Sequence, residues 1–219
     1  MITIEKLTFN PFQENTYILF DETKECVVID PGCYGRKEKA KLINFIVENK
    51  LIPVQLLNTH CHVDHIQGNY LIASDFDLKL AAHQLEVPVL EGSPAWGAQY
   101  GIRGDLSPKI EIFLEEGDKI EFGNSELEVI FVPGHSPGHI AFINHNEKFV
   151  INGDVLFKGS FGRYDLPGGN PYLLSHSIQT KLFVLPNDYK VYTGHGVETT
   201  IGAEKFTNPI IQIPTTEPK

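Results

Sequence analysis

Residues 58–65 read Asn58-Thr59-His60-Cys61-His62-Val63-Asp64-His65 and follow directly on Pro53-Val54-Gln55-Leu56-Leu57, a short apolar run with the character of a buried strand. His60, His62, Asp64 and His65, all able to bind metal, therefore crowd the exit of one strand. In an extended loop successive side chains point to opposite sides, so His60 and His62 share a side while Cys61 and Val63 take the other. Asp64 and His65 are adjacent and cannot share a direction in that geometry, which points to service on a second ion. Imidazole with carboxylate suits zinc, manganese or iron.

The same residue types recur further along. His135 sits in Pro133-Gly134-His135-Ser136-Pro137-Gly138-His139, Asp154 follows Asn152-Gly153, and His195 follows Tyr192-Thr193-Gly194. Each lies just past a β run, and loops at strand exits gather on one edge of a sheet. The candidate ligands are thus His60, His62, Asp64, His65, His135, Asp154 and His195. Asp30, in Val28-Ile29-Asp30-Pro31-Gly32, can orient a ligand histidine, as metal sites require, or can simply cap an Asp-Pro-Gly turn. Thr59 leaves the same two readings open. Cys61 reads as packing and His139 as structural, and no motif surrounds His83, His145 or His176.

Working outward, strands are expected at 2–9, 15–21, 25–29 and 53–58. Helical spacing runs over 36–49 and 66–76, and 79–82 fits a short strand. Residues 110–132 read as a hairpin series turning at Glu116-Gly117-Asp118 and Gly123-Asn124, continued by strands at 139–144 and 148–152. A helix is expected over 171–185 and a last strand at 189–193. Between Gly92 and Pro108 the periodicity fails, and the segment reads as a long loop or lid carrying Trp96, Tyr100 and Arg103. Strands, then a helix, then a strand ending in a charged or His-bearing loop occur once in each half. Such a pattern predicts an α/β (α+β) layered sandwich with helices outside, in one domain spanning 1–219.

Charge narrows the partners. Lys and Arg number 18 against 28 Asp and Glu, a formal charge of −10, and no basic run is free of interleaved acid. Nucleic acid is therefore not an expected partner. No stretch approaches the ~18 uninterrupted apolar residues of a membrane span. Three cysteines in a chain able to build its own core argue for a reducing compartment, so the expectation is a cytoplasmic protein.

His-x-His-x-Asp-His, a distant Gly-His, a Gly-Asp after a strand and a late Gly-His, in that order, resemble the metallo-β-lactamase superfamily over nearly the whole chain. The resemblance implies a four-layer αββα sandwich with its site on one edge. It also implies His60, His62 and His135 on a first metal, Asp64, His65 and His195 on a second, and Asp154 bridging them. Within the superfamily, Gly153-Asp154-Val155-Leu156-Phe157, Gly159-Ser160-Phe161-Gly162-Arg163-Tyr164-Asp165 and Thr200–Pro209 are similar to the short bacterial glyoxalase II-like (hydroxyacylglutathione hydrolase-like) branch. Arg163 falls where that branch has a basic substrate contact, and with Tyr164 it is the expected substrate-binding pair. Gly196-Val197 replaces the aromatic residue that follows the last ligand histidine in the larger glutathione-binding members.

The expected activity is hydrolysis of a small thioester or ester, with two divalent ions, zinc foremost and iron or manganese as alternatives, supplying the hydroxide. Asp64 and Asp154 are the expected catalytic carboxylates. A lactonase, a mononuclear-iron persulfide dioxygenase and a non-catalytic metal-binding module are the competing readings. The oligomeric state is left open.

Overall fold

The central strands are apolar at successive positions, so both faces of each are buried, and this dictates the layering. The computed structural model describes residues 1–102 and 106–217. The expected lid residue Arg103 lies outside the described residues. One sheet consists of β1 (Thr3–Phe9), β2 (Glu14–Phe20), β3 (Glu25–Ile29), β4 (Ile52–Leu57), β5 (Leu80–Ala82) and β6 (Ile110–Phe113), hydrogen-bonded in that order. Its first three strands are antiparallel and β3 to β6 run parallel. Helices α1 (Gly35–Glu48) and α2 (Asn69–Phe76) make the crossovers, followed by α3 (Val87–Gln99).

The second sheet contains β7 (Lys119–Phe122), β8 (Ser125–Phe131), β9 (Ile140–Asn144) and β10 (Phe149–Ile151). A small hairpin, β11 (Leu156–Phe157) and β12 (Ser160–Phe161), and helix α4 (Pro171–Ser177) lead back to the sheet's remaining strands, β13 (Lys190–Tyr192) and β14 (Thr199–Thr200). The short helix α5 (Ile201–Glu204) follows. The sheet order is β14-β13-β10-β9-β8-β7.

Side chains on opposite faces of the strands enter different cores. Ile18, Val28, Leu56 and Leu80 pack outward with Leu42, Ile46 and Ile72 of the first helices, whereas their neighbours Leu19, Val27, Leu57 and Ala81 pack inward. Inward residues of the second sheet, among them Leu127, Val129, Phe142 and Ile151, meet them there. Ala141, Ile143, Val150 and Val191 face Leu174 and Ile178 on the far side. Three cores between four layers give the α/β/β/α sandwich expected from the sequence. Among the described residues no helix is long and apolar enough to cross a membrane.

Three expectations are corrected. Residues 92–99 are helical, not irregular, because Pro88 occupies the tolerated first turn of α3 and Leu90, Ser93 and Gly97 are buried. Pro94 cannot donate to the Leu90 carbonyl, and the Ser93 hydroxyl donates to it instead at 2.7 Å. Gly97 eases that approach, since a Cβ there would stand a tight 3.1 Å from Val63 Cγ2 and from the Ile102 carbonyl oxygen. Secondly, β6 does not join the hairpin series. It pairs in parallel with β5, and the turn around Gly117 carries the chain from one sheet to the other. Lastly, the helix expected over 171–185 is α4 closed by a single π turn, Ile178–Leu182.

Candidate metal centre

The loops that leave β4, β8, β10 and β13 meet at one edge of the sandwich and are stitched together through their backbones. Ile140 N–H donates to the Thr59 carbonyl at 2.9 Å, Gly194 N–H to the Gly153 carbonyl at 2.7 Å, and Asn15 N–H to the Gly194 carbonyl at 2.7 Å. The first loop is not extended throughout. His65 N–H turns back to the His62 carbonyl at 3.0 Å, which lets Asp64 and His65 face the same space despite being adjacent.

All seven candidate ligands converge there. His62 Nδ1 lies 2.9 Å from His135 Nε2, which lies 3.3 Å from His60 Nε2, so the three rings form one donor group. Asp64, His65 and His195 form another, with His195 Nε2 3.2 Å from Asp64 Oδ2. Asp154 stands between them. Its Oδ1 is 3.6 Å from His65 Nε2, while its Oδ2 is 3.6 Å from His135 Nε2 and 3.4 Å from His195 Nε2. Gly194 permits this closeness, because a Cβ there would sit 2.1 Å from Asp154 Oδ1.

Oxygen acceptors behind the rings fix which nitrogen faces inward. His135 Nδ1 donates to the Arg163 carbonyl at 2.7 Å and His195 Nδ1 to the Phe12 carbonyl at 3.0 Å. His65 Nδ1 donates to Asp30 Oδ2 at 3.1 Å. The Thr59 hydroxyl donates to that same oxygen at 2.6 Å and so accepts from His60 Nδ1 at 3.1 Å. Thr59 N–H and the Asn58 amide occupy Asp30 Oδ1. Asp30, His60 and His65 also lie close enough to hold an ion, but both Asp30 oxygens are already engaged, so Asp30 and Thr59 orient imidazoles.

Electrostatics divide the two groups. Burial pushes His60, His62 and His135 down, His62 to about 3, so these rings offer lone pairs rather than protons. Burial opposes charge on His65 and His195 too. There the Asp154 and Asp64 carboxylates outweigh it, raising His65 well above the usual range and His195 to about 10. Against the same burial penalty, those histidines hold the Asp154 and Asp64 carboxyls low. Converging imidazole lone pairs beside a carboxylate cluster that favours positive charge form a donor set that fits divalent cations. His65 Nε2 and Asp154 Oδ1, buried and without hydrogen-bond partners, are the atoms such an ion satisfies.

A cavity of about 670 Å³ opens over both groups, with Phe12, Trp96, Tyr100, Phe157 and Phe161 in its walls. Trp96 and Tyr100, expected in a lid, reach it from the end of α3. Arg163 also lines it, with its guanidinium bound bidentately to Asp165 at 2.8 Å on both arms. Tyr164, the other expected substrate contact, stacks on Phe161 and does not line the cavity. Cys61 is buried in the outer core of the first sheet and also lines the cavity.

His139 is structural, accepting the Asp154 N–H at 3.1 Å and stacking on His60. His83 stacks on Phe131, and His145 bonds the Tyr189 hydroxyl. Sequence reasoning missed Glu86, a buried carboxylate that bonds two of the four ligand-bearing loops, those of His60 and His62 and of His135. Burial lifts its carboxyl above the usual range, against the donors that surround it. Its only signal in the sequence is an acid isolated in the apolar run Leu85–Val89.

Comparison with known proteins agrees with this geometry. Hydroxyacylglutathione hydrolase GloC of Haemophilus influenzae is 35% identical over 217 residues, covering 96% of this chain and 98% of the relative. The crystal structure of BLEG-1, a B3 metallo-β-lactamase, superposes with a TM-score of 0.87 at 33% identity, over 95% of this chain and 99% of that one. TTHA1623, solved in a di-iron-bound form, gives a TM-score of 0.84 at 38% identity, over 94% of this chain and 98% of that one. The family model for the metallo-β-lactamase superfamily matches residues 9–195, a span holding every residue of both donor groups, and the chain belongs to that superfamily of metal-dependent hydrolases.

Proposed function

We propose that this chain, acting as one domain over 1–219, hydrolyses a small thioester of the hydroxyacylglutathione type with two divalent ions, most simply zinc. The observation that carries the reading is the position of Asp154, one oxygen toward His65 and the other toward His135 and His195, on the floor of an open cavity. We assign His60, His62 and His135 to one ion, Asp64, His65 and His195 to the second, and Asp154 to both. Bound there, the ions supply Lewis-acid polarisation of the substrate carbonyl and hydroxide at neutral pH.

The chain's own residues do the rest. Asp30, Thr59 and the Arg163 and Phe12 carbonyls hold the rings in the inward tautomers. Aromatic walls exclude bulk water and leave room for an acyl group, while Arg163 at the rim meets an anionic carrier. The 35% identity to GloC over almost the full length of both chains supports the thioester. Cys26, Cys33 and Cys61, all buried as free thiols, support a reducing, cytoplasmic setting.

The test is turnover of the protein as purified, and after loading with zinc or with iron, on S-lactoylglutathione, other acyl thioesters, a lactone, a β-lactam and, with oxygen present, a persulfide, with metal content measured. Hydrolysis of a thioester well above the other substrates, at two ions per chain, is expected. Lactone or β-lactam turnover without thioester turnover overturns the substrate, and persulfide oxidation with one iron per chain overturns the reaction class.

A further inference from the structure

Two separate loops carry the three imidazoles of one donor group, and a carboxylate from neither loop joins them. Glu86 ends the 3-10 turn Gln84–Glu86 ahead of α3 and is fully buried. Its Oε2 accepts the N–H of Cys61, the residue between His60 and His62, at 2.8 Å. Its Oε1 accepts the N–H of Gly138 at 2.7 Å and also the hydroxyl of Ser136, the residue after His135. All three donors belong to ligand-bearing loops.

We propose that Glu86 is a positioning residue for the three-imidazole site, setting the separation of the 58–65 and 132–139 loops and thereby the metal affinity of His60, His62 and His135. The proposal rests on the assignment of those three histidines to one ion. A carboxylate is costly to bury unless it is hydrogen-bonded, and an apolar side chain fills such space without that cost. A carboxylate here supplies acceptors on two oxygens at once, so one rigid group references both loops. Ligand positions must hold to within about 0.5 Å for tight binding. The second donor group shares the 58–65 loop through Asp64 and His65, but its rings are oriented by Asp30 and the Phe12 carbonyl and its third ligand, His195, comes from a loop that Glu86 does not bond, so it depends less on Glu86. Glutamine has the same shape but must turn its NH2 toward either the Cys61 N–H or the Gly138 N–H, setting donor against donor.

The test is titration of metal-free protein with Co(II), followed by calorimetry and by visible absorption of the bound ion. Wild type, Glu86→Gln and Ser136→Ala are compared, with His135→Ala and Asp64→Asn as references that each remove one of the two steps. Glu86→Gln is expected to weaken the step that His135→Ala removes by about 10–100-fold and to change its absorption band, weakening the other step markedly less. Ser136→Ala, which keeps the carboxylate and loses one donor, is expected to shift the same step in the same direction by less, and it decides the matter should Glu86→Gln not fold. Wild-type affinity and absorption at that step in both variants overturn the role. Equal weakening of both steps, together with a lower melting temperature of the metal-free protein, also overturns it and leaves Glu86 a general structural residue. If His135→Ala removes no step from wild type, the site assignment fails first and the proposal with it.

Discussion

The two donor groups lie side by side yet are built from opposite materials. One is three imidazoles that burial keeps neutral, two of them, His60 and His135, aimed by a hydroxyl and a backbone oxygen. The other sets two histidines against the carboxylates of Asp64 and Asp154, which hold those histidines protonated in the metal-free chain. The first attracts a cation through lone pairs, the second through charge. Asp154 faces both, and it is where the comparison is most exposed to test. Asp154→Asn keeps the shape and removes the charge, and we expect turnover to fall roughly 10³-fold, the scale of losing a charge-stabilising group in an active site. Near-wild-type turnover at full metal occupancy would show that the groups work without it.

Next in size is Asp30→Asn. Four hydrogen bonds converge on this carboxylate, and asparagine keeps the left-handed backbone (φ 49°) at little strain while placing an NH2 against existing donors. Affinity at the Asp64–His65–His195 group is expected to drop about 10–100-fold. The three-imidazole group, reached only through Thr59, is expected to lose less. Metal titration of the variant measures both, and equal losses would erase the distinction between them.

What was legible beforehand follows the range of the physics. The seven candidate ligands were readable because their chemistry is carried by side chains placed at strand exits, a purely local signal. The layering was readable from the order of strands and helices, which repeats once in each half. Asp30 and Thr59 kept two readings until their partners were known. The carbonyls of Phe12 and Arg163 were invisible, since any residue supplies a carbonyl and only tertiary placement makes it matter. Glu86 was hidden for a related reason: one acid in an apolar run has no period and no spacing. In α3, Gly92, Pro94 and Gly97 spoil the local pattern, while the compensations, a serine hydroxyl on the Leu90 carbonyl and close packing on Val63, come from context. The membership of β6 depended on pairing with β5 across α3, a non-local choice that turn residues do not encode.

Protons offer a subtler contrast. His195, raised to about 10, and His65, also raised, are charged in the metal-free chain at neutral pH, and a ligand imidazole must be neutral. Filling that group therefore displaces protons, and its metal affinity rises with pH up to about 10. The three-imidazole group, with His62 down near 3, has none to release at neutral pH, and its affinity stays flat there. Calorimetry in buffers of different ionisation enthalpy counts these protons. At least one proton is expected for the carboxylate-rich step and none for the other; equal counts would mean the electrostatic division is wrong.

Arg163 gives the smallest expected effect, because its two contributions separate cleanly. Its carbonyl orients His135, and no side-chain substitution removes a carbonyl. Its guanidinium is paired with Asp165 on the surface, where ion pairs contribute about 0–1 kcal/mol, so Arg163→Ala is expected to leave the melting temperature and both metal affinities unchanged. If the same guanidinium also meets an anionic carrier at the cavity rim, its loss raises KM for a glutathione thioester by roughly fivefold, about 1 kcal/mol, with kcat preserved. A neutral thioester of the same acyl group is expected to show no change. A fall in kcat, or an equal rise in KM for the neutral substrate, would place Arg163 in the orientation of the three-imidazole group rather than in recognition of the carrier.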